Sequence, residues 1–225
     1  ARPTEHPYQV SSWSEMKDYY DPNDVIRAAA MMVSVSDQFK GNNNFEYDLV
    51  DIVRQAIAEK GRLTEKVVEA AFAAGDKKLY KDASDRFLRL ILLQDELLAT
   101  RPEFKVGTWI ARARSLGNTS EEKDLYEWNA RVQITTWGNR LAADEGGLRD
   151  YAHREWNGIL KDFYYMRWKT WFDYQTRLLD GKKTAAIDFY AIEEPWTKQT
   201  NPYSNEPEGD CIPTVQRIFA EIFGK

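Results

Sequence analysis

Residues 45–57 read FEYDLVDIVRQAI, and their spacing gives the strongest indication of the fold class. Its apolar side chains recur three and four residues apart, the spacing of one face of an α-helix, at Leu49, Ile52, Val53, Ala56 and Ile57. The same period continues on both sides, whereas the alternation typical of a β-strand is nearly absent. The sequence therefore predicts an all-α fold, a single-domain irregular bundle of about seven to eight helices.

Capping signals divide the chain into helices. DPND at 21–24, KGNNN at 40–44 and TSEE at 119–122 each resemble the start of a helix, the last as a capping box. Gly61 is a candidate interruption of the helix that contains residues 45–57. The longest helix is predicted over about 150–179, followed by helices near 184–194 and 213–223.

The chain start differs in composition from the rest. Residues 1–22 hold three prolines without a sustained period, which predicts an extended strap before a helical domain over 23–225. The opening ARPTEHPYQV has no initiator Met and no signal-peptide pattern, so we expect Ala1 to be a cut inside a longer protein.

Composition excludes several function classes. The chain of 225 residues has 31 basic and 36 acidic side chains, a net charge of −5, which does not favour nucleic-acid or anionic-membrane binding. The longest apolar runs are too short to span a bilayer. Cys211 is the only cysteine, so an internal disulfide is excluded.

Material for a self-contained active site is scarce. With two histidines and one cysteine, neither a His-rich metal site nor a Cys–His nucleophile is expected, and we predict no metal and no cofactor. Asp150 and His153 could share a metal, but a helix-start carboxylate beside a surface histidine is the commoner arrangement. Adjacent carboxylates such as Glu193 and Glu194 diverge on a helix, which predicts solvated faces or first-turn partners of the helix dipole and not a glycosidase pair.

The most aromatic segment, residues 150–174, admits two interpretations: a helix core or a ligand-binding wall. Helical spacing places one stripe at Trp156, Leu160, Phe163, Arg167, Trp171, Tyr174 and Leu178, flanked by Tyr164, Trp168 and Phe172. Most of this stripe is predicted to be core. Arg167 interrupts it, and a charge there needs a buried partner, so we predict structural ion pairs for Arg167 and likewise for Arg131.

Trp137 stands apart because it is predicted to end its helix immediately before a Gly-bearing loop, with Leu148 and Tyr151 just across that loop. A Trp ring, a Tyr hydroxyl and an aliphatic group at a loop rim can form the wall of a sugar pocket. The residues alone leave a core role for these side chains open.

Several motifs in order resemble one known family. They are FEYDLVDIVRQAI (45–57), LLATRPEFKVGTWIARAR (97–114), YEWNARVQITTWG (126–138), DYAHREWNGILKDFYYMRW (150–168) and PEGDCIPTVQRIF (207–219). Together they resemble the C-terminal helical domain of α-N-acetylglucosaminidases, glycoside hydrolase family 89. The resemblance implies a retaining exo-glycosidase that removes terminal α-linked N-acetylglucosamine from heparan sulfate-like or mucin-type glycans.

The same resemblance implies that both catalytic glutamates lie in an upstream (β/α)₈ barrel, the expected partner of this domain. It assigns Trp137, Leu148 and Tyr151 to the substrate pocket, with no catalytic residue in this chain. We therefore expect a domain that is inactive alone and belongs to a secreted, periplasmic or lysosomal enzyme. The rival hypothesis is a free-standing helical module that binds a protein or glycan without hydrolysing it.

Overall fold

A computed structural model describes residues 20–145, 149–200 and 202–224 of the chain. The described residues confirm the all-α prediction, with α-helices α1 Pro22–Val35, α2 Asn43–Ala74, α3 Lys77–Ala99, α4 Val106–Arg114, α5 Ser120–Gln133, α6 Tyr165–Leu179, α7 Phe189–Thr197 and α8 Cys211–Phe223. Short 3₁₀ turns cover Ser36–Phe39 and Pro102–Phe104, and π-helical turns cover Leu141–Glu145 and Leu160–Tyr164. The predicted strap over 1–22 lies almost wholly outside the described residues, and its boundary stays a prediction.

The chain divides into two compact units. The first helical unit is the described part of Asp18–Phe104 and Glu206–Lys225, which contains α1, α2, α3 and α8. The second helical unit is Lys105–Asn205, which contains α4 to α7. In the described parts of both units, no helix is long and apolar enough to cross a membrane.

The core of the first helical unit lies along α2, which packs against α1, α3 and α8. Most of the predicted stripe belongs to this core: Leu49, Val53, Ala56 and Ile57 are buried, whereas Ile52 is only half-buried. Gly61 does not interrupt the helix as expected, because α2 continues over 32 residues. A glycine inside a helix costs only about 1 kcal/mol, which the packing of the whole helix face outweighs.

The predicted helix starts are confirmed by their hydrogen bonds. Asp21 caps α1 by accepting from the Asn23 N–H, and Asn42 caps α2 by accepting from the Phe45 N–H. Thr119 and Glu122 form the predicted capping box of α5. These ends were predictable because each bond joins residues within one turn of the helix.

Cys211 begins α8, buried, with its thiol 3.7 Å from the carbonyl oxygen of Glu46. Burial raises the pKa of this thiol to about 11, so little reactive thiolate is present at pH 8. We expect a disulfide reagent to modify Cys211 slowly in the folded protein and stoichiometrically after unfolding in guanidinium. Rapid modification of the folded protein would contradict this burial.

The second helical unit differs from the sequence prediction mainly in its longest helix. The helix predicted over 150–179 starts only near residue 159, with the π-helical turn Leu160–Tyr164, before α6 begins. A π-helical turn admits an extra residue and rotates the buried face. Beyond Arg167 the core therefore runs through Trp168 and Phe172, the predicted flank, whereas Leu178 of the predicted stripe is exposed.

Candidate functional site

Trp137 and Tyr151 form an exposed aromatic pair in the second helical unit. Their ring centroids are 5.4 Å apart, with 59° between the ring planes. The exposed fractions are 38% for Trp137 and 63% for Tyr151, so both rings remain accessible. The sequence placed Trp137 at the end of its helix, but α5 ends at Gln133 and Trp137 follows a short turn.

One backbone hydrogen bond joins the two segments that carry these rings. The N–H of Asp150 donates to the carbonyl oxygen of Thr135 over 2.7 Å. Thr135 precedes Trp137 by two residues, and Asp150 directly precedes Tyr151. The Trp137 N–H in turn donates to the carbonyl of Val132 over 2.8 Å, which anchors this turn to the end of α5. These two backbone hydrogen bonds hold together the segments that carry the Trp137 and Tyr151 rings.

Below the aromatic pair lies a buried ion triad of Asp150, Arg167 and Glu193. Arg167 Nη1 donates to Asp150 Oδ2 over 2.8 Å, and Arg167 Nε donates to Glu193 Oε1 over 2.7 Å. The three side chains are 0% exposed. The Tyr164 hydroxyl, from the π-helical turn, also donates to the Asp150 carboxylate. Charges this deep are stable only when paired in this way.

Electrostatics keep the Arg167 guanidinium charged and the Tyr164 hydroxyl protonated. Burial opposes a charge on Arg167, but the carboxylates of Glu193 and Asp150 raise its pKa above the ordinary value, so it stays protonated. Burial and the neighbouring Asp150 raise the pKa of Tyr164 well above its ordinary value, which keeps the hydroxyl a donor. Arg149 adds a further cation, with Nε 3.8 Å from Glu193 Oε2.

Two sequence expectations about carboxylates are wrong. Glu193 was expected on a solvated face, yet it is fully buried on α7 against Arg167. The signal was present in the sequence, because Phe189, Glu193 and Trp196 share one helical face. Asp150 was expected at a helix start, but it lies buried in a turn with φ of 57°.

His153 lies in the same turn as Asp150. Its N–H donates to the Asp150 carbonyl over 3.1 Å, and its Nδ1 is 3.8 Å from Asp150 Oδ2. In the described parts of the chain, no group of three or more His, Cys, Asp or Glu residues could hold a metal ion. The Asp150 carboxylate instead accepts hydrogen bonds from Arg167 and Tyr164, so its role in this turn is structural.

Arg131, the other arginine predicted to be paired, is fully buried within the same unit. Its Nε and Nη2 donate to Glu127 Oε1 over 2.8 and 2.6 Å. The guanidinium also lies over the rings of Trp196 and Tyr203, 4.7 and 5.2 Å from their centroids. Cation–π contacts of this kind are strongest where water is excluded.

The described part of the site has no free carboxylate pair. Asp150 and Glu193, the buried acids beneath the aromatic pair, are both engaged by Arg167. Exposed ring faces and a Tyr hydroxyl suit contact with a sugar, whose C–H groups stack on aromatic rings. Leu148, the third predicted pocket residue, lies outside the described residues, so its position stays a prediction.

Solved structures of family 89 glycoside hydrolases contain this fold. One, from Clostridium perfringens in complex with PUGNAc, is 36% identical with a TM-score of 0.88, and the match covers 95% of this chain and 25% of that chain. Another from the same organism, with its substrate GlcNAc-α-1,4-galactose, matches at 36% identity and a TM-score of 0.88, over 94% of this chain and 25% of that one. The chain thus has the fold of a helical domain found in these hydrolases.

Sequence comparison identifies the particular family. Residues 1–221 match the family described as the alpha-N-acetylglucosaminidase (NAGLU) C-terminal domain, so the chain belongs to that family. Human alpha-N-acetylglucosaminidase is 26% identical in an alignment of 215 residues, and the match covers 91% of this chain and 28% of the human protein. The chain therefore spans about a quarter of the length of these relatives.

Proposed function

We propose that this domain serves a retaining exo-α-N-acetylglucosaminidase, an enzyme that hydrolyses terminal α-linked N-acetylglucosamine from heparan sulfate-like or mucin-type glycans. Its role is to buttress the preceding catalytic barrel and to complete the wall of the substrate pocket. The observation that carries the proposal is the exposed Trp137–Tyr151 pair, held over a buried ion triad in a domain of this family.

The chemistry divides between the two parts of the enzyme. In the barrel, one glutamate attacks the anomeric carbon and the other acts as acid and then as base. The helical domain contributes contacts: ring faces stack on the sugar and the Tyr151 hydroxyl bonds to a sugar hydroxyl. Leu148 is the proposed aliphatic member of this wall. Asp150 and Glu193 take no part in proton transfer, because Arg167 holds both as paired carboxylates.

The relatives support the substrate class that we propose. The longer chains that contain this domain include a hydrolase bound to GlcNAc-α-1,4-galactose, an α-linked N-acetylglucosaminide. We propose that the intact enzyme takes a substrate of this class outside the cytoplasm, in a secreted, periplasmic or lysosomal setting. The upstream barrel of the same polypeptide is its principal partner.

Replacement of Trp137 by Ala in the full-length enzyme is expected to lower kcat/KM about tenfold, because a lost aromatic contact of about 1–2 kcal/mol corresponds to that factor. The thermal unfolding temperature should change little, because the ring is 38% exposed and at the rim. Steady-state hydrolysis of a chromogenic α-N-acetylglucosaminide measures the effect.

Trp128→Ala is the matched control, since Trp128 is a similarly exposed tryptophan on α5 of the same unit. It should leave kcat/KM unchanged. Unaltered activity of Trp137→Ala would remove the pocket role. Turnover by the 225-residue chain alone would contradict the division of chemistry between barrel and helical domain.

A further inference from the structure

We propose that Asp150 is a positioning residue, which fixes the geometry of the Trp137–Tyr151 pair through its buried carboxylate. This inference rests on the proposed pocket role of the pair. Asp150 is itself fully buried, so it contacts no ligand and acts only through the two rings.

The backbone around the aromatic pair adopts an uncommon conformation. Among the described residues, the non-glycine positions with positive φ are Trp137 at 63°, Asp150 at 57° and His153 at 44°. All three belong to the two segments that carry the rings. A left-handed conformation costs a side-chain-bearing residue free energy and persists where surrounding contacts over-determine it, often at functional sites.

The contacts that over-determine this turn converge on one carboxylate. Asp150 accepts from Arg167 of α6 and from Tyr164 of the π-helical turn, while Arg167 is itself held by Glu193 of α7. Its backbone N–H meanwhile donates to Thr135 across the loop. A single residue therefore links α6 and, through Arg167, α7 to the two segments that present the rings. A shift of Asp150 moves both rings relative to the rest of the unit.

The second helical unit contains another buried ion pair, whose residues lie outside the left-handed segments that carry the two rings. Glu127 and Arg131 are one helical turn apart within α5, and the pair is nearly as buried as the triad. It stabilises the unit, but neither residue belongs to the left-handed turns. Glu127 therefore provides a matched control for the removal of a buried negative charge.

The test is a double-mutant cycle in the full-length enzyme between Asp150→Asn and Trp137→Ala. Asn tolerates the left-handed backbone, so this substitution removes the charge and keeps the turn accessible. Asp150→Asn alone is expected to lower kcat/KM about tenfold, mainly through KM, because misplaced groups lose binding and alignment. In the Trp137→Ala background, the same substitution should lower kcat/KM by less than about threefold, because the effects of coupled residues are not additive.

Glu127→Gln is expected to lower the unfolding temperature while the folded enzyme keeps its kcat/KM and shows no coupling to Trp137→Ala. Full additivity of Asp150→Asn with Trp137→Ala would show a merely structural role and overturn the inference. An inert Trp137→Ala would instead refute the proposed pocket role, so the two failures are distinguishable.

If Asp150→Asn does not fold, Tyr164→Phe decides the question. It removes one hydrogen-bond donor to Asp150 and leaves the ion triad intact. The expected loss in kcat/KM is smaller, about threefold, and equally non-additive with Trp137→Ala. An additive loss, or none at all, would overturn the inference.

Discussion

Replacement of Arg167 by Ala is expected to lower the free energy of unfolding by about 3–5 kcal/mol, the range measured when one partner of a buried ion pair is removed. The guanidinium is fully buried between Asp150 and Glu193, at 2.8 and 2.7 Å. Without the guanidinium, the carboxylates of Asp150 and Glu193 lose the cation they share in a region closed to water. The contacts of Arg167 with the Phe163 and Tyr164 rings are also lost. Chemical denaturation followed by circular dichroism measures the change.

Lys169→Ala is the control on the same helix. Lys169 is half exposed, and its ammonium lies 2.6 Å from Asp173 one turn further along α6. Exposed pairs of this kind contribute about 0.5 kcal/mol, so its removal should hardly move the unfolding midpoint. A loss below about 1 kcal/mol for Arg167→Ala would mean that water reaches the triad, which the burial of all three side chains argues against.

Replacement of Gly158 by Ala is expected to cost about 2–4 kcal/mol, the sum of a left-handed backbone penalty and overpacking. Gly158 has φ of 90°, and a Cβ there would lie 2.8 Å from both the Tyr203 ring and a Val106 methyl group. Tyr203 cannot yield freely, because its hydroxyl donates to Asp162 over 2.7 Å and accepts from Trp196 Nε1 over 3.1 Å. Thermal unfolding measures the destabilisation.

Gly181→Ala separates the two contributions. Gly181, just beyond α6, also has a left-handed backbone, with φ of 72°, but nothing lies within 4 Å of its Cβ position. It should cost only the backbone penalty, about 1 kcal/mol. Equal losses at the two glycines would show that the contact of Gly158 with Tyr203 and Val106 adds nothing to stability.

Much of the fold was predictable because it depends on neighbours in sequence. The period of residues 45–57 predicts the buried face of α2, and the caps at Asp21, Asn42 and Thr119 mark helix starts. Each of these signals operates within one or two helical turns. The ordered motifs also identified the family, since several of them match in register.

The candidate site was predictable only in part. Trp137 and Tyr151 stood out because they flank the same loop, and the structure brings their rings to 5.4 Å. Their role in a pocket stays a prediction. The divergence of adjacent acids on a helix does not reveal the burial of Glu193, whereas the helical face that it shares with Phe189 and Trp196 does indicate it.

The helical class, most helix starts and the need of Arg167 for a partner follow from the sequence, because they depend on local spacing and on the cost of a buried charge. The identity of the partners of Arg167 depends on tertiary packing. Asp150 and Glu193 lie 17 and 26 residues from Arg167, on a turn and on another helix. The π-helical turn and the left-handed backbone at Trp137 and Asp150 also depend on tertiary packing. Local preference disfavours such conformations, and they persist because long-range packing and paired charges outweigh their cost.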